Sequence, residues 1–370
     1  MTRTILALDF GGTKLSAALF GAGTARKERQ GRSERQEKTQ RASSLREALP
    51  TYNLLDLRRI VTPADADAAY ELAAMVALAR ELLDGHAPAV VGVSFGGPVD
   101  YATGVVRLSH HVRGWERVPL RDRLAVEFGC PVAVDNDANV AALGEHRFGA
   151  GRGMADMMYV TVSTGVGGGW ILGGRPWRGH AGLAGEIGHT VADPAGPLCL
   201  CGKHGCVERL ASGPYMAADY AQGRAIPLPS GGVRGGSGAG ENEDPLPNPL
   251  PRGEGTPIPL PEGEGISGRD VAEWAAAGDA LAREILLRGA WALGVGLGHA
   301  ANLINPQRFV LGGGVTKAGE AWWAEVRRSA AATALPEVRF DVVPAALGDD
   351  APLWGALALT EEIGTTDFTD

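Results

Sequence analysis

The chain has 370 residues, 45% hydrophobic and 21% charged, a composition typical of a folded globular protein long enough for two domains. Acidic residues outnumber basic ones by 43 to 35, and a formal charge of −8 argues against a broad nucleic-acid-binding face. No apolar run approaches the roughly 20 residues that span a bilayer, and the N-terminal MTRTILALDF lacks the apolar core and cleavage site of a signal peptide. A cytoplasmic location, with no membrane or nucleic-acid partner, is therefore expected.

Thr4 to Asp9 (TILALD) reads as a buried strand and Leu15 to Phe20 (LSAALF) as a second. The glycine turn between them makes a hairpin whose tip carries Gly11, Gly12, Thr13 and Lys14. Residues 26–41 are dense in Arg, Lys, Glu and Gln and read as a solvated insertion. The apolar spacing of Ala66 to Leu83 predicts an amphipathic helix, and Ala89 to Ser94 (AVVGVS) a strand ending in FGGPVD. Pro131 to Asp135 (PVAVD) is a short strand leading into a helix that runs to about Phe148. Met157 to Ser163 and Gly167 to Leu172 are strands around a second glycine turn, Thr164 to Gly169. Gly223 to Gly265 contains the near repeats PLPNPLPRGEG and PLPEGEG and is expected to be a disordered insertion. Helical patterns fill Asp270 to Asn305. A strand (Gln307 to Leu311), a third glycine turn (Gly312 to Gly314), a helix (Trp322 to Ala334), a strand (Val338 to Val343) and a last helix (Ala351 to Glu362) complete the chain. Strands alternating with helices, and ending repeatedly in glycine turns, predict an α/β protein with ligands held at strand ends.

Three groups of residues carry candidate chemistry. In the first, Asp9-x-Gly11-Gly12-Thr13-Lys14, glycines let backbone N–H groups approach phosphate oxygens while Thr13 and Lys14 add a hydroxyl and a charge. Asp9 could hold magnesium through water; a plain hairpin turn is the alternative. The turn Thr164 to Gly169, with Thr164 and Gly165 at its start, is a comparable cradle. The second group is Asp135-Asn136-Asp137-Ala138-Asn139. A carboxylate at a strand end can accept the proton of an alcohol that attacks a phosphoryl group, which makes Asp137 the candidate base. Asp and Asn also favour helix N-caps, a lesser role open to Asp135.

The third group lies in Glu186 to Glu208. Cys199, Cys201 and Cys206 fall within eight residues, and His189 precedes them. Three thiolates and an imidazole suit a tetrahedral structural zinc site; a disulfide or simply buried thiols are the alternatives. Glu186 and Glu208 bracket this cluster. Held rigidly, they suit hydrogen bonds to sugar hydroxyls, or else support the metal ligands.

Taken together, DFGGTK at 9–14, FGGPVD at 95–100, DNDAN at 135–139, STGVGGG at 163–169, GEIGH at 185–189, CLCGKHGCVE at 199–208 and LGGGV at 311–315 resemble the ROK family (repressors, open reading frames and sugar kinases) of the actin-like ATPase superfamily. The resemblance implies an α/β fold of two actin-like (ribonuclease H-like) domains with a cleft between them that holds a hexose and ATP–magnesium. It implies Asp137 as catalytic base, with Gly97, Asn136, Glu186, His189 and Glu208 binding sugar. Thr13, Thr164 and Gly313 would meet nucleotide phosphates, and His189, Cys199, Cys201 and Cys206 would hold structural zinc. The expected division is a smaller N-terminal domain over 1–125 with an insertion at about 26–57, a larger domain over 126–350, and a C-terminal helix and tail over 351–370 that pack back on the first domain.

The GEIGH form is similar to that of glucokinases and N-acetylhexosamine kinases. Transfer of a phosphoryl group from ATP to the 6-hydroxyl of glucose is therefore the expected activity. Another hexose or N-acetylhexosamine is the alternative, and a non-catalytic sugar sensor is the reading of a different class. Only eight residues precede Asp9 in this sequence, so the DNA-binding domain of the family's repressors is not expected. Ser109-His110-His111 stands where kinases of the family commonly carry Pro-Asn, so His111 replaces a sugar-binding asparagine. A homodimer or homotetramer is also implied.

Overall fold

A computed structural model describes residues 4–23, 51–109, 112–223 and 265–363. By their contacts they form two units. The first comprises Met1–Gly149, Arg178–Leu183 and Asp350–Asp370, and the second Ala150–Trp177 and Ala184–Asp349.

The first unit is built on β1 (Thr4–Phe10) and β2 (Lys14–Gly23), paired antiparallel as the hairpin pattern predicts. β3 (Thr51–Val61) adds an edge strand beside β2. Helix α1 (Ala68–Leu83) starts where the Asp67 side chain accepts the Tyr70 N–H at 2.9 Å, a side-chain N-cap. β4 (Val90–Phe95) pairs parallel with β1, and three short strands, β5 (Val99–Asp100), β6 (Val105–Val106) and β7 (Val118–Pro119), form a small sheet of their own. Helix α2 (Leu120–Phe128), strand β8 (Val132–Asn136) and helix α3 (Asp137–Phe148) follow. The main sheet has the order β3-β2-β1-β4-β8.

Side chains alternate across this sheet with period two. Leu6, Leu8 and Phe10 face a core shared with α1 and α2, whereas Ile5 and Ala7 face a second core that includes Val140 and Leu143 of α3.

In the second unit β9 (Met157–Val162), β10 (Val166–Leu172) and β11 (Arg175–Trp177) form an antiparallel meander. A 3-10 turn, Ile187–His189, precedes helices α4 (Val207–Ala211), α5 (Gly213–Ala221), α6 (Gly268–Ala276) and α7 (Ala280–Ile304). The Asp279 side chain starts α7 by accepting the Ala282 N–H at 2.8 Å. β12 (Arg308–Gly312), helix α8 (Glu320–Thr333) and β13 (Asp341–Pro344) complete a sheet of order β11-β10-β9-β12-β13. Its core gathers Val160, Leu293, Phe309 and Trp322. Helix α9 (Ala351–Glu362) belongs to the first unit and packs on β1, β4 and α3. Contact with α3 is close enough that a Cβ on Gly355 would stand 1.8 Å from the Val140 carbonyl oxygen.

Two expectations change. The insertion expected at about 26–57 ends in an ordered strand: residues 51–57 belong to β3, whose ladder runs along the whole of β2. Leu54, Leu55, Asp56 and Arg58 of this strand are exposed, so its composition is that of a surface edge rather than a core strand. The expected boundary at 125/126 falls inside the first unit, because β8 pairs parallel with β4 and carries α3 with it. The rest of the 26–57 stretch up to 50, and residues 224–264 of the Pro/Gly-rich stretch, lie outside the described residues.

Candidate active site

The first unit brings one set of predicted residues to the ends of three parallel-paired strands. Asp9 of β1 pairs with Ser94 of β4, and Ser94 pairs with Asp135 of β8. All three have the strand parity of Ala7, Val90 and Ala133, so they lie on the α3–α9 side of the sheet. Asp9 is 5% exposed and accepts the Ser94 hydroxyl at 2.8 Å. Burial pushes its carboxyl up to about 6, against the opposing influence of the Ser94 hydrogen bond and of Lys14 and Arg59. The adjoining hairpin tip is tight, with Gly11 N–H donating to the Lys14 carbonyl at 3.1 Å and Thr13 N–H to the Gly11 carbonyl at 2.8 Å. A Cβ on Gly11 would stand 3.1 Å from that Lys14 oxygen and 3.5 Å from Asp9 Oδ2, so the glycine keeps the approach to this carboxylate clear.

Asp137 opens α3. Its Oδ1 accepts from Asn136 Nδ2 at 2.9 Å and from the Ala138 N–H at 2.8 Å. Asn136, not Asp135, is the N-cap: its Oδ1 accepts the Ala138 and Asn139 N–H groups, while Nδ2 also donates to the Gly97 carbonyl at 3.1 Å. Gly97 itself has no room for a side chain, since a Cβ there would come within 2.7 Å of the Leu108 carbonyl oxygen. Asp135 is buried and engaged elsewhere. It accepts from Arg178 Nε at 2.7 Å, from Asn139 Nδ2 at 3.2 Å and from the Asn136 N–H at 2.8 Å. Burial raises its carboxyl, and Arg178 opposes that rise. His111 lies outside the described residues.

The second unit gathers another set. The turn after β9 closes with Ser163 N–H on the Gly165 carbonyl at 2.9 Å, and Glu208 Oε2 accepts the Val166 N–H at 3.0 Å. A Cβ on Gly165 would stand 2.8 Å from that same oxygen. Glu208 is thereby fixed to the glycine turn. Gly313, after β12, has φ of +90°, and a Cβ there would stand 2.4 Å from the Val162 carbonyl oxygen. Thr164, Gly314 and Lys317 border a cavity of about 1130 Å³ whose other walls include Gly213 and Ala217 of α5 and Ser267, Asp270 and Glu273 at the start of α6. Its volume is slightly above the roughly 300–1,000 Å³ usual for small-molecule sites.

Glu186 is exposed at the head of the 3-10 turn that carries His189. His189, Cys199, Cys201 and Cys206 offer ligand atoms that all lie within 4.8 Å of one another. Cys199 Sγ is 3.9 Å from His189 Nδ1, and Cys201 Sγ is 3.5 Å from Cys206 Sγ. The knuckle is braced by backbone bonds such as Cys199 N–H to the Lys203 carbonyl at 2.8 Å, and Arg288 of α7 holds it through Asp193. The structure records all four cysteines as free thiols. Burial pushes the thiols of Cys199 and Cys206 up.

Sequence reasoning missed Ser94, Arg178 and the α5–α6 wall of the cavity. A signal for Ser94 was present: Asp9-Phe-Gly-Gly and Ser94-Phe-Gly-Gly share a pattern, and the strand register sets them side by side. Arg178 has no such local signal.

The ROK family profile matches residues 5–363. A glucokinase of Streptomyces coelicolor is 34% identical over 317 residues, covering 84% of this chain and 91% of that protein. A glucokinase of Halalkalibacterium halodurans is 35% identical over 281 residues, covering 72% and 74% respectively. Among solved structures, a ROK family glucokinase from Streptomyces griseus in complex with glucose and AMPPNP is 30% identical, with a TM-score of 0.68 over 97% of this chain and 99% of that one. A ROK hexokinase from Thermus thermophilus is 29% identical, with a TM-score of 0.69 over 98% of this chain and all of that one.

Proposed function

The chain belongs to the ROK family, and from that premise we propose that it is an ATP-dependent sugar kinase that phosphorylates the 6-hydroxyl of glucose. The observation that supports this reading best is Asp137 at the first turn of α3, tied through Asn136 to Gly97, in a chain similar along its length to a structure holding glucose and AMPPNP. Asp137 would take the proton of the attacking hydroxyl and orient its oxygen. Oδ1 is already fixed by the Asn136 amide and the Ala138 N–H, which sets the carboxylate plane.

ATP would lie with its base in the α5–α6 cavity and its phosphates toward Thr164, Gly165 and Gly313. Gly11, Gly12, Thr13 and Lys14 are the candidate phosphate contacts of the first unit. Magnesium accompanying ATP supplies charge neutralisation at the transferring phosphoryl group. Asp9 suits it as a holding residue, because its approach is kept clear by Gly11 and its buried charge has few compensating partners. On the acceptor side, Gly97, Asn136, Glu186, His189 and Glu208 would bind the sugar.

Zinc would be held by His189, Cys199, Cys201 and Cys206. Ligands about 2.3 Å from a tetrahedral ion stand about 3.8 Å apart, and the separations of 3.5 and 3.9 Å fit that spacing. Four protein ligands leave no open position, so the ion would fix the Glu186–Glu208 segment rather than take part in transfer. Among the described residues no helix is long and apolar enough to cross a membrane.

The deciding experiment is a coupled ADP-release assay with glucose, mannose, N-acetylglucosamine and N-acetylmannosamine. Glucose should give the highest kcat/KM. An N-acetylmannosamine kinase of Shigella flexneri is 37% identical over 222 residues, but these cover only 58% of this chain and 63% of that protein. A preference for N-acetylmannosamine would move the assignment to that substrate, and failure of all four sugars to support ADP release would overturn the kinase reading.

A further inference from the structure

Arg178 sits between β11 and Glu186, in the segment Arg178–Leu183 that belongs to the first unit although its neighbours on both sides belong to the second. Its guanidinium is enclosed. Nε donates to Asp135 Oδ2 at 2.7 Å, and a terminal nitrogen donates to Glu362 Oε2, near the end of α9, at 3.0 Å. The ring of Tyr101 lies 3.5 Å below it, and the Tyr101 hydroxyl donates to the same Glu362 oxygen at 3.0 Å. A cation shared by two carboxylates and an aromatic face is rigidly placed, because a planar guanidinium fits all three directions at once.

Asp135 passes this placement on. Arg178 occupies its Oδ2, which leaves Oδ1 to accept the Asn136 N–H at 2.8 Å and Asn139 Nδ2 at 3.2 Å. Asn136 then caps α3 and donates to Asp137 Oδ1. The hydrogen bonds run without a gap from Arg178 to the carboxylate that would act as base. We propose that Arg178 is a positioning residue for phosphoryl transfer: through Asp135 it sets the Asn136–Asp137 turn, and it does so without contacting sugar or nucleotide. This rests on Asp137 as the base of the proposed kinase reaction.

The test compares wild type, Arg178→Gln, Arg178→Lys and the charge-neutral double variant Asp135→Asn/Arg178→Gln. Removing Arg178 alone leaves Asp135 as a buried charge without its partner, a change that can unfold a protein. The double variant removes both charges and is expected to stay folded, which its melting temperature checks. Two measurements are made. Hydrogen exchange reads the Ala138 and Asn139 amides, which the turn protects, against the amides of α7. The coupled assay reads kcat and KM for ATP.

The expected result for the double variant is a melting temperature within a few degrees of wild type, exchange at Ala138 and Asn139 at least about tenfold faster, and kcat at least about tenfold lower with KM for ATP within about threefold. Arg178→Lys, which restores the contact with Asp135, should recover part of both the protection and kcat. Wild-type exchange and wild-type kcat in the double variant would overturn the proposal and leave the ion pair a stability feature only. The exchange measurement stands apart from turnover. If no sugar supported ADP release by the wild type, the kinase reading would fail, and unchanged exchange at Ala138 and Asn139 in the double variant would still refute the positioning role.

Discussion

Asp9→Asn should make this protein more stable and less active. Asp9 is 5% exposed, and its carboxyl is pushed from 3.8 up to about 6, chiefly by burial. The folded state therefore holds the proton more tightly than the unfolded chain does. Stability from this group is complete below about pH 4, falls as pH rises from about 4 to about 6, and stays lost above that. At about 1.4 kcal/mol per pH unit, the loss above pH 6 approaches 3 kcal/mol. Asparagine keeps an acceptor for the Ser94 hydroxyl and carries no charge. Unliganded Asp9→Asn should thus exceed the wild type by up to about 3 kcal/mol at pH 7.5, and by almost nothing at pH 4.

For a domain of 150–250 residues each kcal/mol shifts Tm by about 2–4 °C, so a rise of several degrees is expected at pH 7.5. Thermal melts of both proteins from pH 4 to 8, without ligand, measure it. The same variant should lose the extra stabilisation that magnesium–ATP gives the wild type, and kcat should fall by about 100-fold or more. A variant equal to or less stable than wild type at pH 7.5, or a difference independent of pH, would refute the account of Asp9 as a charge kept at the expense of stability.

Three further outcomes are expected. Asp137→Asn should lower kcat by about 10²- to 10⁴-fold while glucose affinity by calorimetry stays within a few-fold, since the amide keeps the shape but cannot accept the proton. Gly313→Ala forces a side chain into a backbone at φ +90° and to within 2.4 Å of the Val162 carbonyl oxygen. It should destabilise by about 1–3 kcal/mol in denaturant titrations and raise KM for ATP more than KM for glucose. Cys201→Ser should reduce bound zinc below one equivalent per chain by elemental analysis and raise KM for sugar; full-length protein purified without zinc and fully active would contradict a structural ion.

The parts of the site that could be read in the sequence are those whose chemistry is local. The Cys199–Cys206 knuckle and His189 lie close in the chain, so ligand spacing alone assembles them. The β1–β2 hairpin is equally local, since two apolar runs and the glycine turn between them are consecutive in the chain; the start of α3 was legible too, but its cap is Asn136, one residue beyond the Asp135 that sequence favoured. β3 was hidden because an edge strand needs only ladder bonds to β2 and leaves Asp56 and Arg58 to solvent, where their charge imitates a loop. The domain boundary at 125 failed for a related reason. Parallel pairing of β8 with β4 is a contact between segments separated by a helix, and no periodicity reports it.

Arg178 shows the same limit at a single residue. Asp135 and Glu362 are 43 and 184 positions away, so nothing in the residues around Arg178 marks it as more than a surface arginine. Yet Asp135 carried a usable hint. A carboxylate whose strand parity buries it needs a cation or several donors, and its neighbours Asn136 and Asn139 supply only amide donors. Asp9 occupies the same row, on β1, where the Ser94 hydroxyl donates to it while Lys14 and Arg59 act on it only through their charge. Two buried carboxylates on either side of Ser94, at the ends of β1 and β8, one paired with Arg178 and the other hydrogen-bonded by Ser94, divide into a structural and a functional member. In that division the under-compensated Asp9 is the carboxylate suited to a metal-bound phosphate, and Asp135 the one suited to holding the turn that presents Asp137.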